Sequence, residues 1–314
     1  MPEPRPLALG VVAGADGDFA RCAELMRRAE AAKLDFVLFA DDGASGRTTT
    51  LEPTALLSGL AAVTTRVGLI CTAATIYNEP YNIARRFASI DHISGGRAGW
   101  HLAPARVDDE AANYGFEGPR DAATRLARAA EFYDVVAGLW DSWEDGALLR
   151  DKTSGDYIDR DKIHFLDHVG AHFKVKGPLN ITRSAQGWPV VAQTPSSEAE
   201  RDLAARAADV IFTAPSMLAD AQAFYADVKG RAARFGRAPD DIKIMPRVAG
   251  ATAASLIAWH EAEAADGFLL PPDRLALIPE LQRRGAFRTD YTGTTLRQHL
   301  GVAVPENRYT RQRA

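Results

Sequence analysis

His101 stands between Trp100 and Leu102 in an apolar run, where an imidazole can exchange a proton near neutral pH. General acid–base work and a satisfied place in the core are both open to it there. Asp41 and Asp42 close another apolar run, Phe36–Ala40, and supply carboxylates suited to the same chemistry. Ser196-Ser197 precede a segment with helical spacing. The first turn of a helix offers free backbone N–H groups and a positive dipole end, so two hydroxyls there suit a phosphate, and equally an ordinary N-cap. His164, His168 and His172 recur at i, i+4 and i+8, the spacing of a metal-binding helix face. Gly170 and the loop-like composition around it argue against a helix, so no metal site is expected. No Gly-x-Gly-x-x-Gly follows the first strand candidate and no Gly-x-Ser-x-Gly occurs, which weighs against a dinucleotide fold and a serine-hydrolase elbow.

These groups need elements to position them. Short apolar runs at 7–13, 36–40, 67–72, 98–103, 189–193, 210–214, 242–246 and 267–270 read as strands. Amphipathic segments at 19–32, 52–63, 82–93, 124–140, 198–208, 218–235, 252–264 and 273–284 read as helices. Asp18 suits an N-cap, Pro53 a first helical turn, and Ser94-Gly95-Gly96 a stop. Strict βα alternation implies parallel neighbours, and eight units predict a single (β/α)8 TIM barrel over residues 1–285. A polar, Gly/Asp-rich stretch at about 144–187 is expected as an insertion between helix 4 and strand 5. The connection from strand 7 to helix 7, Arg247-Val248-Ala249-Gly250, is short. Residues 286–314 form a tail expected to pack on the barrel, with a helical turn at 296–300. In such a barrel the chemistry sits at the C-terminal strand ends. That rule selects Asp41, Asp42, Cys71, Thr72, Thr75, His101, Gln193, Thr194, Ser196, Ser197, Thr213 and Arg247.

Composition bounds the function. Hydrophobic residues are 46% and charged residues 25% of 314, which excludes a disordered or fibrous chain. Lys+Arg is 37 and Asp+Glu 41, a formal charge of −4, so no basic excess is available for a nucleic acid. Two cysteines, Cys22 and Cys71, are expected to be reduced. Met1-Pro2-Glu3-Pro4-Arg5-Pro6 has no apolar signal core and no run reaches the length of a membrane span, so a cytoplasmic enzyme is expected.

Longer motifs point further. Phe36-Val37-Leu38-Phe39-Ala40-Asp41 and the stretch from Tyr77-Asn78-Glu79-Pro80 through Asp91-His92-Ile93-Ser94-Gly95-Gly96-Arg97 to Gly99-Trp100 closely resemble the bacterial-luciferase-like flavin monooxygenases. The similar subgroup holds the nitrilotriacetate, EDTA and dibenzothiophene-sulfone monooxygenases. Gly138-Leu139-Trp140-Asp141-Ser142-Trp143, Val175-Lys176-Gly177-Pro178-Leu179-Asn180, Pro279-Glu280-Leu281-Gln282 and Tyr291-Thr292-Gly293-Thr294-Thr295 extend the resemblance over nearly the whole chain. It implies a luciferase-like barrel that takes reduced FMN from a separate flavin reductase and, with O2, oxygenates a small organic substrate. It also implies a homodimer or a luciferase-like heterodimer. Carried over by position, Asp41, Thr72 and His101 would lie around the flavin ring, with His101 and Asp41 as catalytic groups, and Ser196 and Ser197 at the phosphate.

The departures from the family pattern cluster at the flavin end. His101 stands where the family usually has Asn, and Leu126 where it has a Tyr that looks like a phosphate ligand. Pro195 removes one backbone donor, and Glu200 replaces a Gly with a carboxylate that would repel a phosphate. The family's long insertion between strands 7 and 8 is missing. Two alternatives follow: a flavin-independent barrel running non-redox acid–base chemistry through His101 and Asp41 or Asp42, or a non-catalytic partner subunit.

Overall fold

The computed structural model describes residues 6–15, 17–40, 50–104, 114 and 121–311. The first half alternates strictly: β1 Ala8–Gly14, α1 Phe19–Ala31, β2 Phe36–Ala40, α2 Pro53–Ala62, β3 Gly68–Ala74, α3 Pro80–Ser94, β4 Ala98–Ala103 and α4 Ala122–Trp140. The second half resumes with β7 Val190–Gln193, α5 Glu198–Ala207, β8 Val210–Thr213, α6 Leu218–Arg234, β9 Lys243–Pro246, α7 Ala253–Glu261, β10 Gly267–Leu270 and α8 Ile278–Arg283. Between the halves, β5 His168–Val169 and β6 Lys174–Val175 form a small antiparallel pair outside the main sheet. Two short helices, α9 Leu296–Leu300 and α10 Arg308–Arg311, follow the last βα unit.

Local sequence explains the boundaries. Asp18 caps α1 by accepting from the Ala20 and Arg21 backbone N–H groups. Pro53 opens α2, where its missing N–H costs nothing. Gly95 ends α3 at φ 69°, a left-handed conformation that favours glycine. The last helix differs from its expected form: 3-10 geometry runs from Pro272 to Leu277 before α8 begins.

The eight main strands are all parallel, in the order β10-β1-β2-β3-β4-β7-β8-β9. A parallel bridge between Arg247 and Leu269 joins the two outer strands and nearly closes the barrel. Only residues 247–252 connect β9 to α7, the shortened connection expected from the sequence.

Strand alternation sorts the side chains into two layers. Phe36, Leu38, Ile70, Val190, Val210, Phe212, Met245 and Leu269 pack inside the barrel. Leu69, Cys71, Trp100, Leu102 and Val191 pack outward against the helices. Gly10 makes the inner layer possible, since a Cβ there would meet the Phe36 ring at 2.3 Å. Leu296, Leu300 and Val302 join the same interior cluster, so α9 and the residue after its cap seal the floor.

Three buried aspartates organise that floor. Asp35, Asp209 and Asp266 immediately precede β2, β8 and β10. Their carboxylates accept the N–H of Leu9 (2.6 Å), Val191 (2.9 Å) and Ile244 (2.8 Å) on the neighbouring strands. Each also meets a cation: Arg288 on Asp35, Arg297 on Asp209 and Lys229 on Asp266. Such pairing offsets much of the cost of burying a carboxylate. Among the described residues no helix is long and apolar enough to cross a membrane.

Candidate functional site

Thr72 and His101 are register partners on the parallel strands β3 and β4. Alternation puts both on the inner face, two residues above Ile70 and Gly99. His101 Nδ1 lies 2.9 Å from Thr72 Oγ1, and His101 Nε2 lies 2.9 Å from Thr194 Oγ1, just beyond the end of β7. The Phe212 ring of β8 flanks the imidazole at 5.8 Å. Thr72 is 8% exposed, His101 half-buried and Thr194 exposed, so the three groups run from the interior to the surface. A hydroxyl can donate or accept, which leaves the imidazole able to hold its proton on either nitrogen.

Ser197 is the N-cap of α5, its Oγ accepting from the Glu200 backbone N–H at 3.3 Å. The adjacent donors are already taken. Ser196 N and Oγ both donate to Glu200 Oε2, at 2.5 and 2.7 Å. The carboxylate thus lies where an external anion would, at the positive end of the helix.

The remaining strand-end residues are scattered in role. Asp41 and Asp42 follow β2 and lie outside the described residues. Cys71 is buried on the helix-facing side, and Cys22 on α1 is buried in the same core layer. Thr75 is buried with its carbonyl on the Arg128 guanidinium. The Thr213 carbonyl accepts from Arg247 N at 2.7 Å. Gln193 is buried on the strand side shared with Val191, and its Nε2 has no partner among the described residues.

The three spaced histidines separate. His164 pairs with Glu144 at 2.6 Å, and His168 on β5 with Glu131 at 3.0 Å. Burial raises the Glu131 carboxyl, but the His168 ring and the His172 and Phe173 backbone N–H groups outweigh it and hold it below the ordinary range. No group of three metal-ligating side chains forms among the described residues.

Arg128 is a buried residue that sequence reasoning passed over. On α4 it lies 4.6 Å from the Phe173 ring and donates to the Thr75 and Asn78 carbonyls, so it pins the loop after β3. The available signal was its place on the apolar face of α4, four residues before Phe132. A cleft of about 610 Å³ opens beside it, lined by Tyr77, Asn82, Arg86, Tyr114 and His172 among others. Thr194 was visible as a strand-end residue, but nothing local marks it as a partner of His101, 93 positions away.

Residues 6–286 match the family model described as luciferase-like monooxygenase. Nitrilotriacetate monooxygenase component A of Aminobacter aminovorans is 38% identical, with 91% of this chain and 90% of that protein covered. That pairing runs over 408 residues against 314 in this chain, so the relative carries segments without a counterpart here. One of the pristinamycin IIA synthase subunits of Streptomyces pristinaespiralis is also 38% identical, covering 90% of this chain and 89% of its own, over only 286 residues. The structure of EDTA monooxygenase from Chelativorans sp. BNC1 superimposes with a TM-score of 0.85 at 23% identity, over 95% and 98% of the two chains, a likeness of fold. A parallel eight-stranded barrel with its polar pair at the C-terminal strand ends, matched along nearly its whole length, places the chain in the luciferase-like monooxygenase family.

Proposed function

We propose that this chain is the oxygenase component of a two-component, flavin-dependent monooxygenase, taking reduced FMN from a separate flavin reductase and using O2 on a small organic substrate. The observation that carries the reading is the Thr72–His101–Thr194 cluster on the inner face of the barrel mouth of a family member. When bound, reduced FMN supplies the two electrons that oxygen activation requires. Thr72 and His101 offer a hydroxyl and an imidazole to a planar, hydrogen-bonding ring, and Phe212 gives that site an apolar wall. His101 holds or releases a proton at Nδ1 or Nε2, and Asp41, the residue that follows β2 in the sequence, is the second proposed catalytic group. The phosphate end fits less well as it stands. Ser196 and Ser197 can receive a phosphate only after Glu200 has turned away. A chain with only two cysteines, Cys22 and Cys71, both buried, suits work in the cytoplasm. The chain is read as pairing with a second copy or with a related chain.

Anaerobic titration of reduced FMN into the protein, followed by mixing with O2, a reductase and candidate substrates, tests this. Saturable binding and oxygen-dependent product support it, and absence of reduced-FMN binding overturns it. Glu200 favours one second reading, a non-catalytic partner that does not hold the flavin. The match of near-equal length to a protein named as one of a synthase's subunits supports the same reading. On that reading, reduced FMN binds only when a related chain is added.

A further inference from the structure

We propose that Thr194 completes a relay, Thr194–His101–Thr72, that carries a proton between solvent and the buried end of the barrel mouth. The exposure gradient and the two 2.9 Å contacts place the imidazole as the middle of a path with one wet and one dry end. Neutral imidazole has one N–H donor and one bare acceptor nitrogen. Two settings therefore satisfy all three groups. In one, Thr194 donates to Nε2 while Nδ1–H donates to Thr72. In the other, Thr72 donates to Nδ1 while Nε2–H donates to Thr194.

Passing from the first setting to the second moves one proton inward. A solvent-borne proton joins the Thr194 oxygen as its hydroxyl hydrogen leaves for Nε2. The Nδ1 hydrogen passes to the Thr72 oxygen, and Thr72 gives its own hydrogen to a base in the barrel mouth. One proton enters, one leaves, and the ring ends neutral in its other tautomer. The chain contains its own contrast. His260 Nδ1 faces the Ala265 carbonyl and His299 Nε2 the Arg66 carbonyl, each at 2.8 Å. A carbonyl only accepts, so each of those neutral rings is locked in one tautomer. At His101 both of these hydrogen-bond partners are hydroxyls, and neither locks the ring. The base that receives the proton rests on the function proposed above; the relay itself does not.

The test is a long-range proton–nitrogen NMR spectrum of the full chain labelled at histidine nitrogen, at a pH where the rings are neutral, with His101→Asn used for assignment. The expected result is intermediate, exchange-averaged shifts at both His101 nitrogens, beside fixed shifts for His260 and His299. Thr194→Val, at an exposed position, removes the hydroxyl on Nε2 and should shift the His101 average away from its parent value toward the Nδ1–H tautomer, and Thr194→Ser should restore it. A His101 locked in the parent protein, or averaging that Thr194→Val leaves unchanged, overturns the relay. Reduced-FMN titration on the same samples separates the two ideas. Binding with a locked His101 overturns the relay alone, and averaging without binding overturns the flavin reading alone.

Discussion

Glu200 closes its carboxylate onto Ser196, taking the backbone N–H at 2.5 Å and the hydroxyl at 2.7 Å. One side chain four residues into the loop–helix junction thereby occupies donors that would otherwise serve a phosphate. An anion arriving there must displace another anion, and the exchange gains little.

Glu200→Ala should therefore tighten reduced-FMN binding by about tenfold or more, the scale of one or two charge-assisted hydrogen bonds made available. Affinity for reduced riboflavin, which has no phosphate, should stay unchanged. Ser196→Ala with Ser197→Ala should weaken reduced FMN by a few kcal/mol at most. Parallel titrations of the two flavins against the three proteins check this, and an equal gain for riboflavin would show that Glu200 acts through something other than the phosphate.

His101→Asn should fold as the parent does, because the position is half-buried and an amide can still bond Thr72. It cannot exchange a proton near pH 7. Turnover should fall by roughly 10²–10⁴-fold, the range for losing a general acid–base group. Steady-state rates with a coupled reductase measure it, and normal turnover would reduce the histidine to packing.

Arg297 grips Asp209 with both Nη atoms, at 3.0 and 2.9 Å, and donates to the Trp188 and Ala303 carbonyls. Arg297→Met removes the fork and leaves Asp209 buried, with Arg237 at 3.6 Å as its remaining cation. A loss of about 3 kcal/mol is expected, since an unpaired buried charge costs more than the pair gained. The urea unfolding midpoint reports it. Asp209→Asn combined with Arg297→Met should recover part of the loss.

His299 should make the fold acid-sensitive. Burial, reinforced by Arg288, Arg66 and Arg97 and opposed by the hydrogen bond to the Arg66 carbonyl, lowers its pKa to about 4 from 6.5. The unfolded chain thus takes up a proton that the folded chain refuses. Stability from this group is full above about pH 6.5 and falls as pH drops towards 4, by about 3 kcal/mol in all. His299→Gln should flatten that slope in denaturation curves taken between pH 7 and 4, and an unaltered slope would assign the acid sensitivity to other groups.

Much of the scaffold follows from local sequence. Periods of 2 and 3.6 residues, Asp18 as a cap, Pro53 at a helix start and Gly95 at a helix end act within a few positions, so they are readable in order along the chain. The βα alternation carries the parallel barrel with it, because only a crossover helix joins parallel neighbours. The turn 296–300 was legible for the same local reason. Its task was not: Leu296 seals the barrel floor and Arg297 meets Asp209, 88 positions away. The three aspartates before β2, β8 and β10 look like ordinary loop residues until neighbouring strands bring Leu9, Val191 and Ile244 to them. Strand order and closure alone decide such partners. The site divides in the same way. Ser197 as a helix cap is a local property, and so is the reach of Glu200 back to Ser196. The pairing of His101 with Thr72 depends on the register of β3 against β4, and its contact with Thr194 on the seating of β7 beside β4. Sequence therefore determined which residues could carry protons and anions, through side-chain chemistry and local backbone geometry. Tertiary structure decided which of them meet, because hydrogen bonds of 2.9 Å between residues 29 and 93 positions apart exist only once the barrel is assembled.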